Sequence, residues 1–347
     1  MSEVAVKGIL TAAFLGTVLG LAGLLTWVER KQSAIMQDRI GANRAWIEFR
    51  SWPLRPLNRL LWPLNRLGIF HALADVIKMF VKEDFMPAGA DKFLHTLAPM
   101  ISVVSALAAF AAVPFGDGLI IADIGAGLLF VFAMMSLGVY GVILGGLASN
   151  SKYAYLGGMR AASQMLSYEI TMGISILGVV LAYGSLSLQE IVVRQGQFWG
   201  FVTQPLAFIL FMTAALAETK RVPFDLPEGE SEIVGYFVEY SGMKFGMFFL
   251  TDLVETVLVA CLMTTFFFGG WQVPFPLPPM PHGWAVALGV MSFFSKVIFF
   301  NWLFMAIRWT LPRFRYDQLM KLGWKILFPA SLVNVLVTSV IVVARGR

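Results

Sequence analysis

The sequence predicts an all-α polytopic membrane protein, and three observations carry that prediction. Apolar residues make up 58% of the 347 positions and charged residues 14%, with a mean hydropathy of +0.75, which is more apolar content than a soluble core of this size requires. The apolar runs are long and continuous, with glycine but few breakers; barrel strands would instead alternate over about 10 residues. Lysine and arginine are shared unequally between alternate connections, as in chains that cross a bilayer repeatedly.

Runs long enough to cross roughly 30 Å of hydrocarbon cover 8–28, 94–114, 119–148, 160–184, 200–217, 236–268, 284–308 and 323–344, giving about eight transmembrane helices. The first run lacks the short apolar core and small-residue cleavage site of a signal peptide and is read as a retained anchor. The sixth is longer than a bilayer requires, so one long, tilted helix, or one projecting into water, is expected. Eight crossings put both termini on one side. The connections at 29–93, 149–160, 218–235 and 308–322 hold nineteen Lys and Arg, whereas the other side has Lys7, Arg194, Arg345 and Arg347. The positive-inside rule therefore places the former in the cytoplasm and the termini in the periplasm. The net charge of +5 restates this asymmetry, and no basic groove or stacking motif calls for nucleic acid. The chain reads as one integral membrane domain, 1–347.

The 29–93 connection has structure of its own. Trp52-Pro53-Leu54 to Leu60 is echoed by Trp62-Pro63-Leu64-Asn65-Arg66-Leu67, each ending Asn-Arg-Leu, an echo too short for a repeat architecture. Ile69, Leu73, Val76, Ile77 and Phe80 then recur at helical spacing, with Asp75, Lys78 and Lys82 on another face. This predicts an amphipathic helix at the membrane surface. The Arg and Trp residues before it serve either as headgroup anchors or in a specific lipid or subunit contact.

Some chemistry is excluded. One cysteine, Cys261, allows neither an intrachain disulfide nor a four-thiolate cluster, and His71, His95 and His282 lack metal-ligand spacing. No metal, haem or iron–sulfur centre is expected here, so redox chemistry needs a partner.

The informative stretch is 218–246, which places six carboxylates in an oily chain, where charge is expensive. Pro223 and Pro227 exclude a continuous helix in the 218–235 connection. Glu228, Glu230 and Glu232 crowd like charges, which favours holding a proton; the alternative is a solvated turn capping the next helix. Glu232 and Glu239, seven apart, fall on one helical face. Beyond them Lys244 and Glu255 differ by about 20° and Asp252 lies about 80° from Lys244, forming one polar sector along about 16 Å of helix. Glu169, after Tyr168, and Lys296 sit inside other spans, as structural ion pairs or as members of a titratable chain with Glu218, Glu232, Glu239 and Asp252. Glu29-Arg30-Lys31 reads equally as a stop signal. The richness in Met and Phe, eighteen and thirty residues, is ordinary lipid-facing packing that also suits a greasy tunnel.

These blocks resemble a known family, the H-type membrane subunits of bacterial NADH:quinone oxidoreductase, respiratory complex I, equivalent to mitochondrial NADH dehydrogenase subunit 1. The resemblance covers Val28-Glu29-Arg30-Lys31 with Gln37-Asp38-Arg39, Ala74-Asp75-Val76-Ile77-Lys78 with Lys82-Glu83, the 218–246 block, and Pro312-Arg313-Phe314-Arg315-Tyr316-Asp317-Gln318-Leu319. It departs at Ala42, where many relatives have Pro, and at Leu73, where Phe is common. The resemblance implies a quinone-docking platform whose first and sixth spans and amphipathic helix frame a tunnel towards a partner's iron–sulfur cluster. It implies quinone-cavity roles for Arg30, Asp75, Lys78, Arg221, Asp225 and Arg308, and a proton or charge path through Glu169, Glu218, Glu228, Glu230, Glu232 and Asp252. Glu239 and Glu255 join that relay from the polar-sector reading. The implied substrate is a quinone, ubiquinone being expected. Flavin and iron–sulfur clusters belong to partner subunits, and the partners are the peripheral-arm quinone-site subunits, small membrane subunits leading to antiporter-like subunits, and lipid. The implied location is the bacterial inner membrane. Two alternatives stand beside it: the anchor of a membrane-bound hydrogenase, separable by assaying NADH oxidation against hydrogen evolution, and an autonomous transporter, for which inverted repeats would speak.

Overall fold

Apolar segments in a bilayer must satisfy every backbone N–H and C=O internally, and in this chain they do so as helices. The computed structural model describes residues 3–49, 55–196, 198–227, 229, 235–274 and 281–344. In chain order the helices are α1 (Glu3–Met36), α2 (Arg55–Leu67), α3 (Phe70–Val81), α4 (Lys92–Ala109), α5 (Gly127–Ala148), α6 (Lys152–Tyr183), α7 (Leu188–Arg194), α8 (Gly200–Thr203), α9 (Pro205–Glu218), α10 (Gly242–Phe267), α11 (His282–Thr310), α12 (Tyr316–Lys321) and α13 (Phe328–Ala344). A π-helical turn at Leu322–Leu327 makes α12 and α13 one run.

Seven of these are long and apolar enough to cross a membrane: α1, α4, α5, α6, α10, α11 and the α12–α13 run. The fifth expected span is divided. Pro205 opens α9 as its first residue, and Gln204 before it leaves the helical region at φ −137°, because a residue preceding proline is pushed out of the α conformation. The 14-residue α9 is therefore only about 21 Å long, and it runs from its contact with α13 into the buried interior of the bundle. At its start Gln204 donates to the Thr338 hydroxyl of α13 at 3.0 Å; at its finish Glu218 neighbours α10. The sixth expected span is shortened as well. Residues 236–239 form a turn and α10 starts only at Gly242, whose φ of +55° and close approach to the Lys82 carbonyl, 2.9 Å from where a Cβ would stand, leave room for glycine alone.

The helix α10 is the axis of the bundle. It packs on α1, α3, α4, α7, α8, α9 and α11, and 72% of its apolar window is inside the protein against 22% for α1. Leu253, Val257, Cys261, Phe266 and Phe267 share one core with Phe211, Phe293 and Phe300. A smaller core joins Val139, Met165, Tyr236, Tyr240 and Phe248. Helices α4 and α5 meet closely because α5 offers Gly141; a Cβ there would overlap the Ser102 hydroxyl and stand 2.9 Å from the Ala98 carbonyl. Small residues at crossings are the usual means of bringing membrane helices together.

The two surface helices explain the echo. Asn65 of α2 pairs both its amide atoms with the backbone of Ile47, each at 3.1 Å, and Asn58 does the same with Phe49 at 2.9 and 3.0 Å. The repeated asparagines thus clamp the extended 41–49 segment onto α2. Trp27 fixes the end of α2 by donating to the Leu67 carbonyl at 2.8 Å, and the Ala42 carbonyl passes directly over Gly68. Helix α3 forms as its periodicity predicts, but it buries none of its residues. Leu73, Val76, Ile77 and Phe80 all remain exposed, an apolar face for lipid or another chain.

Gly141→Val should lower the amount of folded chain recovered from the membrane and cost about 1–3 kcal/mol by overpacking. Gly173→Ala, at a helical position with nothing within 4 Å of the new Cβ, should leave recovery unchanged; thermal unfolding in detergent reads both.

Candidate functional site

Glu29 and Arg30 are consecutive on α1 and so point about 100° apart. Glu29 faces inward, where one oxygen accepts from Arg221 at 3.0 Å and the other from Arg308. This single carboxylate joins α1, the connection after α9 and the end of α11. Arg30 turns to α3 and pairs with Asp75 at 2.6 Å, to which Lys78 adds a second contact at 3.5 Å. Asp225 pairs with Arg313 at 2.8 Å. The six residues singled out for a quinone cavity therefore form three neighbouring groups. Arg30 and Lys78 are partly open to the outside, where Ile35, Met36, Ile40, Ile77 and Phe80 are also exposed.

The 219–227 connection is held from two sides. Gln164 of α6 donates to the carbonyls of Ala217 and Phe224, both at 2.7 Å. The Phe224 ring stacks on Phe314 at 5.5 Å, and the Pro223 carbonyl accepts from the Phe314 N–H at 3.1 Å. The Tyr168 hydroxyl donates to the Leu319 carbonyl at 2.8 Å, which fixes the 312–319 block as well.

One residue before Arg221, the chain turns inward. Lys220 is fully buried, and its ammonium lies 2.7 Å from Asp252 and 3.5 Å from Glu255, which are also buried. The Tyr236 ring lies 5.8 Å from the ammonium. Burial by itself opposes the charge on Lys220, but the Asp252 and Glu255 carboxylates more than offset it and hold this ammonium well above the ordinary lysine range. Glu218, wholly buried, has no hydrogen-bond partner for either oxygen among the described residues. Glu169 accepts from the Ser136 hydroxyl and lies within electrostatic reach of Glu218. Four of the expected relay residues, Glu169, Glu218, Asp252 and Glu255, thus stand together in the bundle.

Other expectations are corrected. Lys244 lies on the same α10 sector as Asp252 and Glu255 but does not pair with them; it pairs with Asp84 at 3.0 Å, because the 83–84 segment is drawn to the start of α10, where Ser241 donates to the Glu83 carbonyl at 2.8 Å. Glu239 lies in the 236–239 turn, half-buried, so the helical-face argument linking it to Glu232 does not apply. Lys296 is remote from this group. It donates to the carbonyls of Phe268, Gly270 and Gln272 at 2.8, 2.9 and 2.6 Å, closing the far end of α10. Glu228, Glu230 and Glu232 lie outside the described residues.

With this geometry in place, comparison with known proteins is decisive. The model of the NADH dehydrogenase family matches residues 9–339. The chain belongs to the NADH dehydrogenase family. Among curated relatives it is 45% identical over 338 residues to an H subunit of NADH-quinone oxidoreductase from Geobacter metallireducens, covering 94% of each chain. It is 44% identical over 350 residues to an H subunit of the same enzyme from Rhodopseudomonas palustris, covering 100% of this chain and 99% of the relative. The corresponding chain of Cytophaga hutchinsonii is 41% identical over 345 residues, covering 96% and 95%.

Within this family member, four residues of the candidate site had no site role in the sequence reading. Glu29 was legible as an acid in a positively charged stretch, Lys220 as a cation among carboxylates, and Arg313 only as part of the 312–319 block. Nothing local marked Gln164. Among the described residues no three His, Cys, Asp or Glu side chains stand together as metal ligands. A cleft of about 370 Å³ is lined by Asp123, Ser187, Glu190 and Arg194, none of which belongs to the Glu29 joint or the buried acids.

Glu29→Gln should release the 219–227 connection, since two arginines then face each other over a weaker acceptor. A loss of about 1–3 kcal/mol, reduced by partial exposure, should appear as faster hydrogen–deuterium exchange there. Because the folded pKa of Lys220 is raised, its stabilising charge is complete below the unfolded value of about 10.4 and fades only as pH rises through the higher folded value. The stability gap between wild type and Lys220→Asn should therefore not change between about pH 7 and pH 9 on account of the lysine; thermal unfolding at several pH values checks this.

Proposed function

We propose that the chain is the H subunit of a proton-translocating NADH–quinone oxidoreductase in a bacterial inner membrane, its termini periplasmic. In this reading it forms one wall of the quinone-binding cavity and carries the effect of quinone reduction to a buried row of carboxylates. The relatives' names and the family membership support the assignment. The observation that carries the mechanism is the pair Lys220 and Arg221: neighbours in sequence, one tied to the buried acids and the other to the Glu29 joint. A shift of the joint must move both.

The cavity wall is built from Arg30, Asp75 and Lys78 between α1 and α3, with Arg221, Asp225 and Arg308 behind them. The exposed apolar residues at the end of α1 and along α3 suit an isoprenoid tail entering from lipid, and an uncovered face completed by peripheral-arm subunits. Flavin and iron–sulfur clusters sit in those partners, and small membrane subunits lead to the antiporter-like ones. Reduction of quinone to quinol takes up two electrons and two protons, so a large charge change occurs beside guanidinium and carboxylate groups that hold one another in place. Groups so paired respond by moving or by exchanging protons. The acidic row of Glu169, Glu218, Asp252 and Glu255 is where that response is received, and the relay role expected of Glu228, Glu230, Glu232 and Glu239 belongs to the same proposal.

Asp252→Asn in the assembled enzyme should lower quinone-linked proton transfer by about tenfold, because Lys220 loses its nearest acid. Proton movement in sealed vesicles, measured against NADH oxidation, decides it; wild-type turnover and translocation would refute the coupling role.

A further inference from the structure

Lys220 holds a position that a structural residue would not need. It stands just past the end of α9 with φ +54°, the left-handed position that usually falls to glycine or asparagine. A lysine there costs about 1 kcal/mol of backbone strain, and such strain persists where function requires the side chain. The conformation sends a four-carbon stem into the bundle, to a site with 1% exposure.

The charges around it do not balance one to one. From α10 come Asp252 and Glu255, from α9 Glu218, from α6 Glu169 beyond it, and from the 236–239 turn the Tyr236 ring. The other cation at hand, Arg221, is taken by Glu29. One ammonium thus serves three buried carboxylates, close to one, looser to the second, and in electrostatic reach of the third, whose oxygens have no hydrogen-bond partner among the described residues. A buried carboxylate without a counter-charge is strongly penalised, so the position of the ammonium decides which acid can remain ionised. A lysine stem relocates its head by a rotamer change without backbone movement.

We propose that Lys220 is the positioning cation of the acidic row, a single ammonium that shifts among Asp252, Glu255 and Glu218 and thereby selects which carboxylate receives an incoming proton. The ammonium keeps its own protons; the proton goes to the acid it has left. Arg221 links this shift to the Glu29 joint. The inference rests on the proposed quinone-linked role of the chain and assigns to Lys220 a part in it that the wall and relay residues do not play.

The test uses the assembled enzyme in sealed vesicles, with the variants K220N/E255Q and K220N/D252N. Each removes one charge of either sign, and asparagine tolerates the left-handed backbone, so assembly should be kept; subunit content of the purified complex confirms it. Protons moved per NADH oxidised should fall about tenfold in both, and the infrared band of a buried carboxyl group that responds to quinone reduction should be lost. K220R, which keeps the charge, should retain both signals. A wild-type ratio and band in assembled K220N/E255Q overturns the inference alone; the same result in K220N/D252N overturns it together with the coupling role given to Asp252. A wild-type complex without NADH–quinone turnover overturns the functional reading, and the inference with it.

Discussion

A charge inside a membrane protein must be enclosed with its counter-charge, and the ion pair of Lys220 with Asp252 and Glu255 imposes that requirement on the whole bundle. Its three charges lie on or against α10, so α10 cannot face lipid. Seven helices surround it. Lys220, Asp252 and Glu255 are all buried, and α5 comes so near at Gly138 that a Cβ there would stand 3.6 Å from a Glu255 oxygen. Removing one member would leave an uncompensated charge in a low-dielectric interior, which is far more damaging than the pair is stabilising.

The same enclosure gives the surface a handle on the interior. The 219–227 connection is not an independent flap. It is bonded to α6 through Gln164, to the 312–319 block through Phe314 and Pro223, and to α1 and α11 through Glu29. Its inner residue, Lys220, is part of the buried pair. Coupling through a contiguous network of this kind needs an element with two arrangements, and a connection braced by ion pairs at one edge and by backbone hydrogen bonds at the other is suited to that.

Much of the architecture was legible in advance. Length and apolarity marked the spans, and period 3.6 marked α3, because both depend on local residue order. Several boundaries fell elsewhere: Pro205 shortens α9, the 236–241 turn delays α10, α5 begins only at Gly127 and α6 already at Lys152. Other misses were not local. Helical geometry put Lys244, Asp252 and Glu255 within one sector, but which side of that sector meets a partner depends on segments distant in sequence. Asp84 claims Lys244 and Lys220 claims the two acids. The Asn-Arg-Leu echo was visible, yet its meaning lay in the backbone of Ile47 and Phe49, seen only when the extended segment lies on α2.

The sequence by itself determined the class and most of the spans, and it pointed to the stretch in which chemistry was to be sought. These follow from composition and period, which act over a few turns of helix. Only the tertiary structure decided the partners: that Glu29 joins Arg221 and Arg308, that Lys296 closes the far end of α10, and that Lys220 pairs with the buried acids while Arg221 pairs with Glu29. The physical reason is that an ion pair in a low-dielectric interior is defined by distances of about 3 Å, and those are set by which helices pack together and not by the order of residues along any one of them.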